Sequence, residues 1–144
     1  MKLQVERETV WMAEVLDRPG SLAKELSSLK EAGASLEFVL ARRAADSSDL
    51  GVVFVAPLKG PKQIRAAKDA GFFKADGLCS VRVEGTDFPG AGATIATAIA
   101  GAGINLRGLS ASVIGRRFVC YLAFDNKTDA TKGAGIVRKL KTLR

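Results

Sequence analysis

Apolar and polar residues in the first half of the chain follow one ordered series of periods. Residues 9–16 are rich in strand-forming side chains, and "DRPG" ends this predicted strand. Apolar residues then recur from Leu22 to Leu29 with the 3.6-residue period of a helix that buries one face. Strands at 36–43 and 50–56, a helix at 60–71 and a short strand in "FFKA" complete a β-α-β-β-α-β order.

The second half repeats this series. The sequence Asp-x-Pro-Gly-x-x-Ala starts at Asp17 and again at Asp87, an offset of 70 residues, and the helices that follow end at Gly33 and Gly103 with the same offset. The predicted elements of the second copy are strands at 78–85, 104–112 and 117–125 and helices at 91–102 and 129–140. This copy lacks the last strand of the series.

The repeat predicts an α+β fold of two ferredoxin-like units, 1–76 and 77–144, each an antiparallel sheet with helices on one face. Neither unit has a large core alone, so we expect the two to pack together. The incomplete second sheet would expose an edge, and exposed edges tend to be paired or covered. We expect "LQV" at residues 3–5, or a strand of another subunit, to fill the missing position.

The charge of the chain is uneven. The net charge is +7, with 12 Lys and Arg against 11 Asp and Glu through residue 76 and 10 against 4 after it. Such a basic half is able to attract phosphate, nucleic acid or an acidic partner. It is also typical of a solvated surface, which we favour. Most of the excess comes from Arg116, Arg117, Arg138, Lys139, Lys141 and Arg144.

The residue types exclude several kinds of catalytic site. The chain has no histidine, which excludes Ser-His-Asp and Cys-His catalysis and histidine metal sites within it. The glycine runs "GAGAT" and "GAGIN" lack the third glycine of a dinucleotide-binding turn. Asp46 and Asp49 lack the further ligands of a calcium loop. We therefore predict a protein that is not an enzyme and uses no metal or cofactor.

The cysteines and the N-terminus bear on the compartment. Cys79 and Cys120 lie in apolar runs without C-x-x-C spacing, which favours core residues in a reducing compartment. "MKLQVERETV" lacks the apolar stretch of a signal peptide. The uncharged segment 88–106 contains Pro89 and several glycines, which disfavours a membrane span. We expect a cytoplasmic protein with no membrane partner.

The repeated turn is the main candidate for ligand chemistry. A helix N-terminus leaves backbone N–H groups unpaired and carries a partial positive charge, so it is suited to a carboxylate or phosphate. Asp17 and Asp87 are placed to meet an ammonium group, with Ser35 or Asn105 completing a polar set. A ligand that carries a carboxylate and an ammonium group close together is a free α-amino acid. The alternative is that each aspartate only accepts hydrogen bonds from nearby backbone N–H groups.

The stretches around the two turns resemble ACT domains, which are ferredoxin-like modules that bind amino acids and regulate metabolic enzymes or transcription. "VLDRPGSLAKELSSLKEAGASLEFV" resembles the opening of one such domain, and "VEGTDFPGAGATIATAIAGAGINLRGL" resembles a second. The resemblance covers nearly the full chain. It implies a stand-alone tandem ACT-domain protein with effectors bound at interfaces between ACT units.

The resemblance also implies ligand-binding residues near the first strand-helix turn and the start of the second strand. In order along the chain these are Asp17, Gly20, Ser21, Leu22, Ser35, Asp87, Gly90, Ala91, Gly92, Asn105 and Leu106. Ser35 replaces the asparagine common in such domains, and Gly92 replaces a bulky apolar residue. Because the second copy keeps both Asp and Asn, the sequence favours it as the binding site.

Three functions follow as alternatives. The first is a non-enzymatic, allosteric regulatory protein that binds an amino-acid effector, forms a homodimer or higher homo-oligomer and acts on a regulated enzyme. The second is a structural or partner-binding subunit without a ligand. The third is an RNA-binding module, because RNA-recognition domains share the β-α-β-β-α-β order and the second half is basic. The run "RRFVCYLAF" lacks the RNA-binding consensus, so the sequence favours the first function.

Overall fold

Two four-stranded antiparallel sheets organise the chain, which a computed structural model describes over residues 3–46, 49–75 and 79–140. The strands are β1 (Gln4–Glu8), β2 (Trp11–Leu16), β3 (Phe38–Arg43), β4 (Leu50–Ala56), β5 (Phe73–Lys74), β6 (Cys79–Thr86), β7 (Leu106–Ile114) and β8 (Arg117–Phe124). The helices are α1 (Ser21–Glu31), α2 (Gly60–Asp69), α3 (Ala91–Gly101) and α4 (Lys127–Arg138). The predicted α+β fold class with two antiparallel sheets is confirmed.

The first unit, Thr9–Ala75, contains the sheet with strand order β3-β4-β2-β5. Its two helices connect β2 to β3 and β4 to β5, which is the predicted β-α-β-β-α-β series. Side chains that alternate along β2 and β4 pack beneath α1 and α2 because successive residues of a strand point to opposite faces. This core consists of Trp11, Ala13, Leu29, Val53, Val55, Ala67 and Phe72.

The second unit consists of residues 3–8 together with 79–140, and its sheet has the order β1-β6-β8-β7. β1 pairs antiparallel with β6 from Gln4 opposite Glu84 to Glu8 opposite Ser80. It occupies the place that β5 has in the first unit. The expectation that the N-terminal segment completes the second sheet is therefore confirmed for the described residues, and β1 extends beyond the predicted "LQV" as far as Glu8.

The division into units differs from the predicted ranges 1–76 and 77–144 in one respect. Residues 3–8 precede the first unit in sequence but belong to the second, because Leu3 and Val5 are buried in the second core. The Arg138 Nη2 atom of α4 also donates a hydrogen bond to the Val5 carbonyl oxygen at 3.2 Å. The predicted boundary between residues 76 and 77 lies outside the described residues.

The helices of the second unit cover one face of its sheet. α3 and α4 pack on side chains that alternate along β6 and β8, including Val83 and Leu122, which are fully buried. The helix predicted at 129–140 begins earlier, at Lys127, because the Asn126 side chain caps it by accepting a hydrogen bond from the Asp129 N–H at 2.8 Å. The other elements begin within two residues of the predicted positions, and residue 78 of the predicted strand lies outside the described residues.

Candidate functional site

The repeated turn has the same backbone conformation in both units. Gly20 and Gly90 are the residues before α1 and α3, and their φ angles are 90° and 81°. Only glycine adopts this left-handed region without strain. A Cβ atom at either position would meet nothing within 4 Å. The φ angle therefore explains both glycines without reference to a ligand.

Each turn is also attached to its sheet by the same hydrogen bond. The Asp17 N–H donates to the Asp49 carbonyl oxygen at 2.9 Å, and the Asp87 N–H donates to the Arg116 carbonyl oxygen at 2.7 Å. Asp49 lies in the connection between β3 and β4, and Arg116 lies in the equivalent connection between β7 and β8. The backbone of the turn is thus fixed by the fold, and the two units differ in the side chains around it.

The aspartate side chains have different partners. Arg43 Nε donates to Asp17 Oδ2 at 2.8 Å. The Arg43 side chain is 82% exposed, so this ion pair stabilises the fold little, yet it occupies the carboxylate. No described cationic side chain forms an ion pair with Asp87. The second unit therefore presents an unpaired carboxylate at its turn.

Strand register gives the reason for this difference. Arg43 lies in register across the first sheet with Val15, and Val113 lies in register across the second with Gly85. Val15 and Gly85 each precede the turn aspartate by two residues. Val113 therefore occupies in the second sheet the position that Arg43 occupies in the first, and it has no charge to offer Asp87.

A cavity of about 360 Å³ opens beside the second turn. Its walls come from the turn and first residues of α3, from the edge strand β7 and from the start of β8. We call it the turn cavity. Its lining residues are Asp87, Phe88, Pro89, Gly90, Ala91, Gly92, Ile95, Leu109, Ala111, Ser112, Val113, Phe118 and Cys120. Most of these side chains are apolar, and Asp87 carries the only ionisable carboxylate among them.

Gly92 contributes to the space in the turn cavity. It is the counterpart of Leu22, 70 residues earlier, whose side chain is 38% exposed on the corresponding helix face. A Cβ atom added at Gly92 would meet nothing within 4 Å. The missing side chain therefore leaves open space at the N-terminus of α3.

Backbone donors lie beside this space. In the first turn of α3, the Ala91 N–H donates to the Phe88 carbonyl oxygen at 3.2 Å and the Thr94 N–H to the Gly90 carbonyl oxygen at 2.8 Å. For Gly92 and Ala93 no acceptor is found in the described chain. Unpaired N–H groups with the partial positive charge of a helix N-terminus attract a carboxylate.

The structure brings some of the predicted site residues together and separates others. Asp87, Gly90, Ala91 and Gly92 line the turn cavity. Asn105 precedes β7, whereas Asp87 lies beside the other end of that strand, because Thr86 aligns through Arg117 with Ile114. Nine residues of strand separate the two ends, roughly 30 Å. The polar pair that the sequence suggested, Asp87 with Asn105, does not form within the second unit.

The same geometry applies to the other predicted residues. Ser35 precedes β3 as Asn105 precedes β7, so it lies at the sheet end opposite Asp17. Gly20, Ser21 and Leu22 lie at the first turn, and Leu106 begins β7 outside the turn cavity. Whether any of these residues binds a ligand stays a prediction.

Sequence reasoning missed most of the wall of the turn cavity. Leu109, Ala111 and Val113 alternate along β7, and Phe118 and Cys120 alternate along β8 on the same face. Burial raises the pKa of the Cys120 thiol to about 11, so this side chain is uncharged at neutral pH. The period-2 pattern of these strands was readable, but their distance from the turn follows only from the short hairpin that joins them.

The sheet face of the second unit opposite its helices carries charged residues. Glu84 accepts hydrogen bonds from Arg82 Nη1 at 2.9 Å and from Arg117 Nη2 at 3.0 Å. Both bonds, that from Arg82 more than that from Arg117, lower the pKa of Glu84 below its usual value. Tyr121 lies on the same face of the central strand β8 but is only 7% exposed. It is not available for the base stacking that RNA-recognition domains require.

Neither a metal site nor a membrane-spanning helix is found in the described residues. No three His, Cys, Asp or Glu side chains among them are grouped so that they could hold a metal ion. None of the helices in this part of the chain has the length and apolar character needed to cross a membrane. The basic residues Lys141 and Arg144 of the predicted patch lie outside the described residues.

The chain was compared with known proteins by sequence and by overall structure. No protein-family model and no curated protein matches the sequence. Solved structures do match. A protein from Bacteroides thetaiotaomicron shares 14% identity at a TM-score of 0.72, over 94% of this chain and 99% of that one. The regulatory subunit of aspartate kinase from Thermus flavus shares 16% identity at a TM-score of 0.63, over 95% of each chain.

A third similar structure is the ligand-free regulatory subunit of aspartate kinase from Thermus thermophilus. It shares 15% identity at a TM-score of 0.61, over 94% of this chain and 95% of that one. The fold is that of tandem ACT-type units. The resemblance noted in the sequence is therefore confirmed at the level of fold. Identities this low carry no residue of those proteins over to the turn cavity.

Proposed function

We propose that the chain is a non-enzymatic regulatory protein that binds a free amino acid in the turn cavity of its second unit. One observation carries this proposal. The unpaired carboxylate of Asp87 and the unpaired N–H group of Gly92 lie at a cavity of about 360 Å³. An ammonium group fits the first and a carboxylate fits the second. The volume is at the small end of the range for ligand sites, roughly 300–1,000 Å³.

The regulatory part of the proposal rests on fold. Two of the similar structures are regulatory subunits of aspartate kinase, each matching nearly this whole chain. By analogy, we propose that the ligand changes the packing of ACT-type units, within a homo-oligomer or against a regulated enzyme. Such a change requires that the ligand bind two arrangements with different affinity. The location of a ligand between units, which the sequence resemblance implies, stays a prediction.

Calorimetry and thermal unfolding with the twenty amino acids test the proposal. A ligand that binds only the folded state must raise its stability, so at least one amino acid should raise the melting temperature at millimolar concentration. Asp87→Asn should lower the affinity for that ligand by about tenfold or more, because it removes a charged hydrogen-bond partner. Asp17→Asn is the matched control, since Arg43 already occupies that carboxylate. If none of the twenty amino acids binds the unmodified protein or raises its melting temperature, the proposal is wrong.

A further inference from the structure

The wall of the turn cavity offers no partner to a charged ligand side chain. Asp87 is its one ionisable carboxylate, and the amino group of the ligand already requires it. The remaining wall is mostly apolar, and the Cys120 thiol is uncharged at neutral pH. A charged side chain placed there would gain no ion pair from the wall, and the apolar atoms around it would displace part of its hydration. The wall therefore disfavours basic and acidic amino acids.

The open space has a defined place. It lies where Gly92 lacks the side chain that Leu22 has in the first unit, and it is bounded by Ile95 of α3 and Val113 of β7. A ligand whose ammonium and carboxylate groups are bound at the turn would direct its side chain toward these residues. A branched aliphatic group would bury apolar surface there, as a leucine side chain would.

We infer that the turn cavity selects α-amino acids with aliphatic side chains of three or four carbons, such as valine, isoleucine and leucine. This inference rests on the proposed function, which supplies the contacts of the ammonium and carboxylate groups. It adds that the Gly92 position, together with the β7 wall, sets the specificity for the side chain.

Calorimetry on the full chain with leucine, isoleucine, valine, alanine, lysine and aspartate tests the inference. Leucine should bind about tenfold or more tightly than alanine, because missing methylenes in an apolar pocket cost at least this much. Lysine and aspartate should bind at least about tenfold more weakly than leucine. If lysine or aspartate binds as tightly as leucine, the inference is wrong and the proposed function stands. If none of the six binds but another amino acid does, the inference is again wrong; if no amino acid binds, the proposed function fails.

Two variants locate the side-chain site. Gly92→Leu fills the open space and should lower the affinity for free leucine by about tenfold or more. The affinity for free alanine should fall less, because its methyl group is short. Ala100→Leu is the matched control, because Ala100 is an exposed residue near the other end of α3 and does not line the cavity. Circular dichroism and the melting temperature confirm folding, since leucine favours a helix more than glycine does. Unchanged leucine affinity in Gly92→Leu would overturn the inference.

Discussion

Arg43 and Val113 occupy equivalent positions in the two sheets, and only the arginine reaches the aspartate of its turn. Arg43 Nε lies 2.8 Å from Asp17 Oδ2, whereas Val113 lines the turn cavity beside Asp87. The backbone around both turns is the same, so a single exchange of side chain separates an occupied carboxylate from an open one. The two copies of a repeated motif have thus diverged at a residue outside the motif.

The variant Val113→Arg should convert the second turn into the state of the first. We expect the new guanidinium to pair with Asp87 and to weaken amino-acid binding by about tenfold or more, because it neutralises the carboxylate and occupies the cavity. The unfolding free energy should change by less than about 1 kcal/mol, since exposed ion pairs contribute little. Calorimetry and urea unfolding measure the two quantities.

The control for this variant is Ile114→Arg. Ile114 is the next residue of β7, is 81% exposed and does not line the cavity. It adds the same charge on the other face of the strand. Equal loss of binding in the two variants would mean that net charge, and not the position of Val113, governs the site.

The sequence predicted the helices and strands well, because the spacing of apolar residues in each element reflects which of its faces is buried. The leucines of α1 and the apolar runs of β4 and β8 define which face of each element is covered. It could not predict the turn cavity, because the 70-residue offset holds only as far as Val113. Gly115 and Arg116 connect β7 to β8 in a short hairpin, whereas six residues of sequence separate β3 from β4. That shorter hairpin brings Phe118 opposite Gly85, where the first unit has Gly51 opposite Val15.

The pair Asp87 and Asn105 shows a second limit. The sequence suggested that Asn105, at the start of the next strand, completes a polar set with Asp87 at the end of the first. In a β-α-β connection the two strands are parallel, so the first strand finishes at one end of the sheet and the next begins at the opposite end. The direction of β7, and not the sequence motif, therefore decides which side chains can join Asp87.

Deletion of residues 1–6 should destabilise the second unit selectively. It removes Leu3 and Val5, which are 9% and 8% exposed in the second core, and most of the pairing of β1 with β6. Burial of two such side chains contributes about 3–6 kcal/mol as an upper estimate. Hydrogen exchange should accelerate at the amides of β6 while those of β4 stay protected.

The variant Glu6→Ala provides the control for this deletion, because Glu6 is exposed on the same strand. It should change the unfolding free energy by less than about 0.5 kcal/mol. Unchanged protection of β6 after the deletion would contradict the role of β1 in completing the sheet.

Two glycines of α4 should respond in opposite ways to alanine. A Cβ atom at Gly133 would meet Phe124 Cζ at 2.5 Å and Ile99 Cδ1 at 3.3 Å, and both side chains are fully buried. Gly133→Ala should therefore lower the unfolding free energy by about 1–3 kcal/mol. At Gly135 a Cβ atom meets nothing within 4 Å, so Gly135→Ala should raise it by about 0.5–1 kcal/mol. Urea unfolding measures both, and destabilisation of equal size would contradict the close contact at Gly133.

The hydrogen bonds to Glu84 should make stability depend on pH. Donation from Arg82 and Arg117 lowers the pKa of this carboxyl below its usual value in the folded state. A carboxyl with a lowered folded pKa contributes stability that is present above its unfolded pKa and is lost as the pH falls through the folded pKa. Glu84→Gln should thus lower the unfolding free energy by about 1–3 kcal/mol at pH 7. The difference from the unmodified protein should become smaller at acidic pH.

Urea unfolding from pH 7 to pH 3 measures this difference, with Glu31→Gln on the exposed face of α1 as the control. A difference that stays constant or grows as the pH falls would show that Glu84 does not act through its charge.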